Sequence, residues 1–297
     1  MIFSGVFAAL TTPYAHDGSV SLSDLKHNVQ RYNQTDLAGY VAVGSTGESV
    51  LLSRAEVDGI LITVKEAAKG KKILAGTGAE STAETIARTK RAAELGYDAA
   101  LVKTPYYYKT AYKPEVLLAH YRRVADESPI PVMLYSIPQF TGIALAAADV
   151  AMLSEHPNII GIKDSSGNVQ GVAETIAATP GKFQVLVGSA ASVYPSLAIG
   201  ARGAILALAC ALPEKCVALF ELFQQGHHEK ARELQAILVR ASKLMVSELS
   251  IAGVKYAMDQ RGYSGGIPRP PLLPLHHEQK KRLTELLATL EPATVRA

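Results

Sequence analysis

The chain has 297 residues, with 30 basic and 27 acidic side chains and a formal net charge of +3. That near balance gives no reason to expect a nucleic-acid surface. The length fits one large core, such as an α/β barrel of about 250 residues with a helical appendage, or two compact domains.

Short apolar runs alternate with amphipathic stretches from the start. Strands are predicted over 6–10, 39–43, 73–76, 99–102, 132–135, 159–163, 184–187 and 204–206. Helices are predicted between them, over 22–34, 53–68, 81–95, 113–127, 146–155, 168–178 and 190–199, and after the last strand over 213–225. Strand and helix recur every thirty residues or so, the pattern of a parallel βα repeat. Ser53 with Glu56 and Ser81 with Glu84 read as capping boxes at two helix starts. An open doubly wound sheet would also use such repeats, but eight of them favour a closed (β/α)8 TIM barrel, since closure removes the exposed edges. The barrel is expected over 1–225. A C-terminal helical extension is expected over 226–297, with helices at 228–247, 251–261 and 277–290 and a Pro-rich break at 267–274.

Cys210 and Cys216 supply neither a disulfide framework nor metal-ligand spacing. No apolar run is as long as a membrane span, and the N-terminus lacks the marks of a signal peptide. A soluble cytoplasmic protein is expected, with no membrane or nucleic-acid partner.

In such a barrel the active site lies at the C-terminal strand ends. Lys163 ends the sixth run, after four apolar or glycine residues. Burial disfavours the charged form of an amine and leaves it nucleophilic toward a ketone. Tyr135 ends the fifth run, and a phenol beside an imine-forming lysine is a proton shuttle. Gly44-Ser45-Thr46-Gly47-Glu48 follows the second run. Its backbone N–H groups and two hydroxyls could converge on a small carboxylate, or it is simply a tight strand-to-helix turn. Gly76-Thr77-Gly78 lacks the third glycine of a dinucleotide fingerprint. The cluster Tyr106-Tyr107-Tyr108 reads as interface packing; Lys103, at the end of the fourth run, reads as an anion partner or a snorkelling surface residue, with the surface favoured. No carboxylate and histidine cluster at the strand ends suggests a metal.

Four segments together resemble the dihydrodipicolinate synthase and N-acetylneuraminate lyase family: Gly44 to Glu48, Thr104-Pro105-Tyr106-Tyr107, Leu134 to Pro138 with Thr141-Gly142, and Gly161-Ile162-Lys163-Asp164. The likeness runs along nearly the whole chain in order and spacing. It implies metal-free aldol chemistry on pyruvate or another 2-oxo acid, with a covalent lysine Schiff base and no other cofactor, in a homotetramer built as a dimer of dimers. By position, Lys163 resembles the Schiff-base lysine, Tyr135 the phenol that moves the aldol proton, Ser45 the relay hydroxyl, and Tyr107 a tyrosine donated across a dimer interface. Substrate contacts are implied at Thr46, Ser165, Gly188, Ile205 and Phe140.

Departures from the family bear on the substrate. The synthases carry an arginine two positions after the Tyr-x-x-Pro motif, where it pairs with the carboxylate of aspartate semialdehyde; here that position is Phe140. Sialic acid lyases carry acids after the seventh strand, where this chain has Gly188-Ser189-Ala190-Ala191. Other segments, among them His156 to Ile160, Lys163-Asp164-Ser165 and Gly262 to Gly266, are similar to 4-hydroxy-2-oxoglutarate aldolase, although Thr46 stands where the animal enzyme has asparagine. The expected reaction is therefore cleavage of 4-hydroxy-2-oxoglutarate to pyruvate and glyoxylate. The alternatives are 4-hydroxy-tetrahydrodipicolinate synthesis from pyruvate and aspartate semialdehyde, or a 2-keto-3-deoxy sugar-acid aldolase.

Overall fold

A computed structural model describes residues 2–290, so the last seven residues of the expected extension, 291–297, lie outside the described residues. Eight parallel strands close into a barrel in sequence order: β1 Gly5–Ala9, β2 Gly39–Ala42, β3 Lys72–Gly76, β4 Ala99–Lys103, β5 Val132–Ser136, β6 Ile159–Asp164, β7 Gln184–Val187 and β8 Gly203–Leu206. β1 pairs with both β2 and β8, which completes the ring. Side-chain alternation along each strand makes two cores. Inward residues such as Phe7, Val41, Leu74, Leu101, Met133, Leu186 and Ile205 fill the barrel interior. Outward residues such as Tyr40, Ile73, Val102, Leu134 and Ile162 pack under the helices. No helix among the described residues is long and apolar enough to cross a membrane.

The register levels the strand ends. Lys103 pairs with Tyr135, Tyr135 with Lys163, and Lys163 with Leu186. Four neighbouring strands therefore deliver those residues at one height, at the C-terminal mouth.

The helices match the predicted spans closely, with three departures. Ser53 and Glu56 form the full capping box, but Ser81 forms half of one. Its hydroxyl accepts from the Glu84 N–H, while the Glu84 carboxylate is taken by the guanidinium groups of Arg54 and Arg88, which are charged and therefore stronger partners. The helix expected from 190 opens as a 3-10 turn over Ala190–Ser192 and becomes α-helical only at Val193–Ala198. The helix expected over 228–247 is α-helical over His228–Ser242 and widens to a π-helix over Lys243–Glu248. Periodicity cannot reveal that one-residue expansion.

A buried ion pair ties the helical extension to the barrel. Lys255 Nζ lies 2.6 Å from Glu48 Oε1, and both side chains are fully buried. The same ammonium donates to the Ile267 carbonyl at 2.9 Å and sits 4.3 Å from the centre of the Tyr14 ring. Arg269, in the Pro-rich break, donates its backbone N–H to Glu48 Oε2 at 2.7 Å. Its guanidinium forks onto Glu56 at 2.6 and 2.9 Å and reaches the Leu51 carbonyl. Burial pushes the Lys255 ammonium below its ordinary range, and the Glu48 carboxylate opposes that shift.

Removing one partner of a buried pair strands the other charge. Lys255→Met is therefore expected to lower stability by about 3–5 kcal/mol in urea unfolding, with Glu48→Gln/Lys255→Met recovering part of the loss. A single substitution that costs nothing would show that the pair does not hold the extension. The Glu56 carboxyl is held down to about 2 by its hydrogen bonds from Arg269. Its folded value lies below its unfolded value of 4.5, so the unfolded chain takes up this proton first as pH falls. The stability from Glu56 is present above that unfolded value and is lost between 4.5 and about 2. Unfolding of Glu56→Gln should depend less steeply on pH in that window.

Candidate active site

A cavity of about 260 Å³ opens at the C-terminal end of the barrel. It brings together Lys163, Tyr135, Ser45, Thr46, Ser165, Gly188, Ile205 and Phe140. Lys163 and Tyr135 are each only 4% exposed. The ammonium nitrogen of Lys163 sits 4.2 Å from the centre of the Tyr135 ring, a consequence of their pairing across β5 and β6. Neither the amine nor the phenol hydrogen-bonds to a protein group among the described residues, so both are free to meet a bound molecule. The Ser45 hydroxyl lines the same cavity but makes no hydrogen bond to Tyr135.

The turn after β2 is strained on both sides of Ser45 and Thr46. Val43 and Glu48 both have φ 57°, a region that a β-branched residue adopts only at a cost of order 1–3 kcal/mol. Two contacts enforce it. A methyl group at Gly76 would stand 2.2 Å from the Val43 carbonyl oxygen, so only glycine lets β3 pass that close. On the other side, the Glu48 carboxylate is pinned by Lys255 and Arg269. Within the turn, the N–H groups of Gly47 and Glu48 donate to the carbonyls of Gly44 and Ser45 at 3.0 and 3.1 Å. Those of Ser45 and Thr46 donate to no protein acceptor among the described residues, which leaves two N–H groups and two hydroxyls for an anion.

Gly188 gives the cavity its room beside the lysine. A Cβ there would lie 1.8 Å from Ser165 Oγ, 2.8 Å from Ser165 Cβ and 3.0 Å from Lys163 Cε. The backbone around it is fixed, since the Gly188 N–H donates to the Asp164 carbonyl at 2.7 Å and the Ser165 N–H to the Ser136 carbonyl at 2.9 Å.

Tyr107 is placed apart from these residues. It is 73% exposed, edge-on to Tyr108 with ring centres 5.0 Å apart, and does not border the cavity. The Glu80 carboxylate accepts from the N–H groups of Tyr106 and Tyr107 and so fixes the turn that carries them. Lys103 is not the surface residue expected from sequence. It ends β4 on the inward face, its side chain is 12% exposed, and its nitrogen lies 3.9 Å from Glu80 and 4.6 Å from the Tyr106 ring centre. Attention to strand ends also missed one wall of the cavity. Ser242, Val246, Ser247, Ser250, Ile251 and Val254 of the helical extension close it, and three of these flank or occupy the π-helix.

The family model described as the dihydrodipicolinate synthetase family matches residues 2–290. This chain belongs to that family. As a member it is an enzyme, a lyase of the class I aldolase type. It is 37% identical to a 4-hydroxy-tetrahydrodipicolinate synthase of Exiguobacterium sp., over 95% of this chain and 96% of that one. It is 36% identical to the synthase of Methanothrix thermoacetophila, over 99% of each chain. Among solved structures, a dihydrodipicolinate synthase from Bacillus anthracis superposes with a TM-score of 0.94 at 29% identity, covering 98% of this chain and 100% of that one. The chloride-inhibited synthase of Acinetobacter baumannii, complexed with pyruvate, gives a TM-score of 0.91 at 32% identity, covering 96% of this chain and 98% of the other. These family members carry the synthase name, where the sequence resemblance pointed to 4-hydroxy-2-oxoglutarate aldolase.

Gly188→Ala is expected to displace Ser165 and the Lys163 side chain, slowing any turnover through that amine by about a hundredfold. A full rate at an unchanged melting temperature would mean that the close approach of Gly188 is not needed for chemistry.

Proposed function

We propose that the chain forms a Schiff base between Lys163 and the ketone of pyruvate and makes or breaks a carbon–carbon bond at the methyl-derived carbon. The observation that carries this reading is the buried Lys163 amine, 4.2 Å from the centre of the Tyr135 ring and free of protein hydrogen bonds, in a cavity sized for a small acid. The Lys163 nitrogen adds to C2 of the 2-oxo acid, and loss of water leaves an iminium. The Ser45 and Thr46 turn receives the adjacent carboxylate. The iminium withdraws electrons from C3, so a proton lost there gives an enamine, which attacks an aldehyde carbon; Tyr135 delivers the proton that the new alkoxide requires. In the reverse direction Tyr135, passing its own proton on, takes the proton of a C4 hydroxyl, and the C3–C4 electrons flow into the iminium to give an enamine and free the aldehyde. C3 is then protonated, and hydrolysis of the resulting iminium releases pyruvate. Tyr107, exposed on its turn, would complete a relay through Ser45 only from a second copy, and the homotetramer is part of this reading.

For the aldehyde, the names of the relatives support aspartate semialdehyde, the synthase reaction. Phe140 favours a second reading, cleavage of 4-hydroxy-2-oxoglutarate. A phenyl ring at the cavity wall offers no ion pair to a carboxylate where the synthases place an arginine.

Borohydride should trap pyruvate on the purified enzyme in the presence of a chelator, and Lys163→Ala should lose both trapping and turnover. Tyr135→Phe should keep the imine and cut turnover by about a hundredfold or more. Pyruvate release from racemic 4-hydroxy-2-oxoglutarate, set against condensation of pyruvate with aspartate semialdehyde, separates the two readings. Trapping that survives in Lys163→Ala would sink both.

A further inference from the structure

The catalytic cavity has a neighbour. A second cavity of about 270 Å³ adjoins it and shares Ser45, Ile137, Phe140, Ser250 and Ile251 as its partition. Lys103 and Tyr106 border this second cavity and not the catalytic one. Lys103 pairs in register with Tyr135, which pairs with Lys163, so the two lysines stand two strands apart, with backbones about 10 Å from one another. Ala99 and Leu101 of the same strand belong to the barrel interior, and alternation turns Lys103 to that side as well.

The charge of this lysine is poorly used by the protein. Its ammonium group makes no hydrogen bond among the described residues; its nearest partners are the Glu80 carboxylate, 3.9 Å away and beyond hydrogen-bond reach, and the face of Tyr106. Glu80 accepts the Tyr106 and Tyr107 N–H groups on Oε2, which fixes its carboxylate with Oε1 3.9 Å from Lys103, too far to take up the ammonium's donors. Glu48, the carboxylate bordering this second cavity, is already paired with Lys255. A mostly buried cation with three unused donors is costly unless something meets it. Desolvation holds the Lys103 ammonium below its ordinary range, and an anion would reverse that effect.

We propose that Lys103 is a specificity-determining residue that binds the distal carboxylate of a dicarboxylic 2-oxo acid whose ketone is held on Lys163. The cation that the family places after Tyr-x-x-Pro is thereby supplied from β4 instead, in the cavity that shares Phe140 with the catalytic one. The inference rests on the Schiff-base reading and extends it to the substrate class, 2-oxo acids with a second acidic group.

The test uses borohydride trapping at increasing concentrations of pyruvate and of 2-oxoglutarate, a diacid with no C4 hydroxyl to be cleaved. The ratio of the half-saturating concentration of 2-oxoglutarate to that of pyruvate should rise about tenfold or more in Lys103→Met. Lys103→Gln should raise it similarly, and Lys103→Arg should keep it near the wild-type value. Loss of trapping of both acids in parallel, or an unchanged ratio in a folded Lys103→Gln, would overturn the assignment of Lys103 alone. Wild-type enzyme that traps neither acid would overturn the Schiff-base reading and this inference with it.

Discussion

Closure of eight parallel strands into a ring is the constraint on which the rest of this molecule depends. Once β1 pairs with β8, no strand can slip by one residue without turning its inward side chains outward and breaking the ladder on both sides. The register is therefore fixed all the way round, and it sets Lys103, Tyr135 and Lys163 level with one another on neighbouring strands. The amine reaches its position over the phenol ring as a by-product of barrel closure. Each side chain can be buried there because the surrounding layers, from Phe7 to Ile205, are packed hydrophobic core.

The second organising feature is the way a strained turn is paid for by distant parts of the chain. Val43 and Glu48 hold left-handed backbone conformations, and neither is a glycine. The turn between them keeps its shape because β3 passes close at Gly76 and because Lys255 and Arg269, more than two hundred residues away in sequence, grip the Glu48 carboxylate. The helical extension thus has two jobs in one piece of structure. Its helix over Ser250–Gln260 carries the buried lysine that anchors the turn, and its π-helix and the residues flanking it wall the cavity. A π-turn beside a binding site is a recurrent use of this costly geometry.

Much of this was legible in the chain itself. The alternation of short apolar runs with capped amphipathic stretches predicted the barrel, and the runs that end in Lys163 and Tyr135 pointed to the mouth where those residues meet. Lys103 was misjudged for a physical reason. A lysine at a strand end looks the same in sequence whether its stem snorkels to solvent or turns inward, and only the packing of Gly78 and Tyr106 around it decides. The serines of the extension were missed because nothing in helical periodicity marks a π-turn or says which face it presents to a barrel end. The half-formed capping box at Ser81 failed in part for a similar reason: Arg88 competes for Glu84 from one turn along the same helix, but Arg54 does so from the preceding helix, a position that only folding brings near.

By itself, the sequence determined the order of elements, the closed parallel architecture and the residue types available at the strand ends. These follow from local rules, because hydrophobic period, caps and turn residues act over a few positions. Tertiary structure alone decided which of those residues share a cavity, that Glu48 is spent on Lys255 while Lys103 is left with unused donors, and that Tyr107 stands apart from the lysine. Those outcomes depend on contacts between segments far apart in the chain, where burial and competition among charges fix each partner.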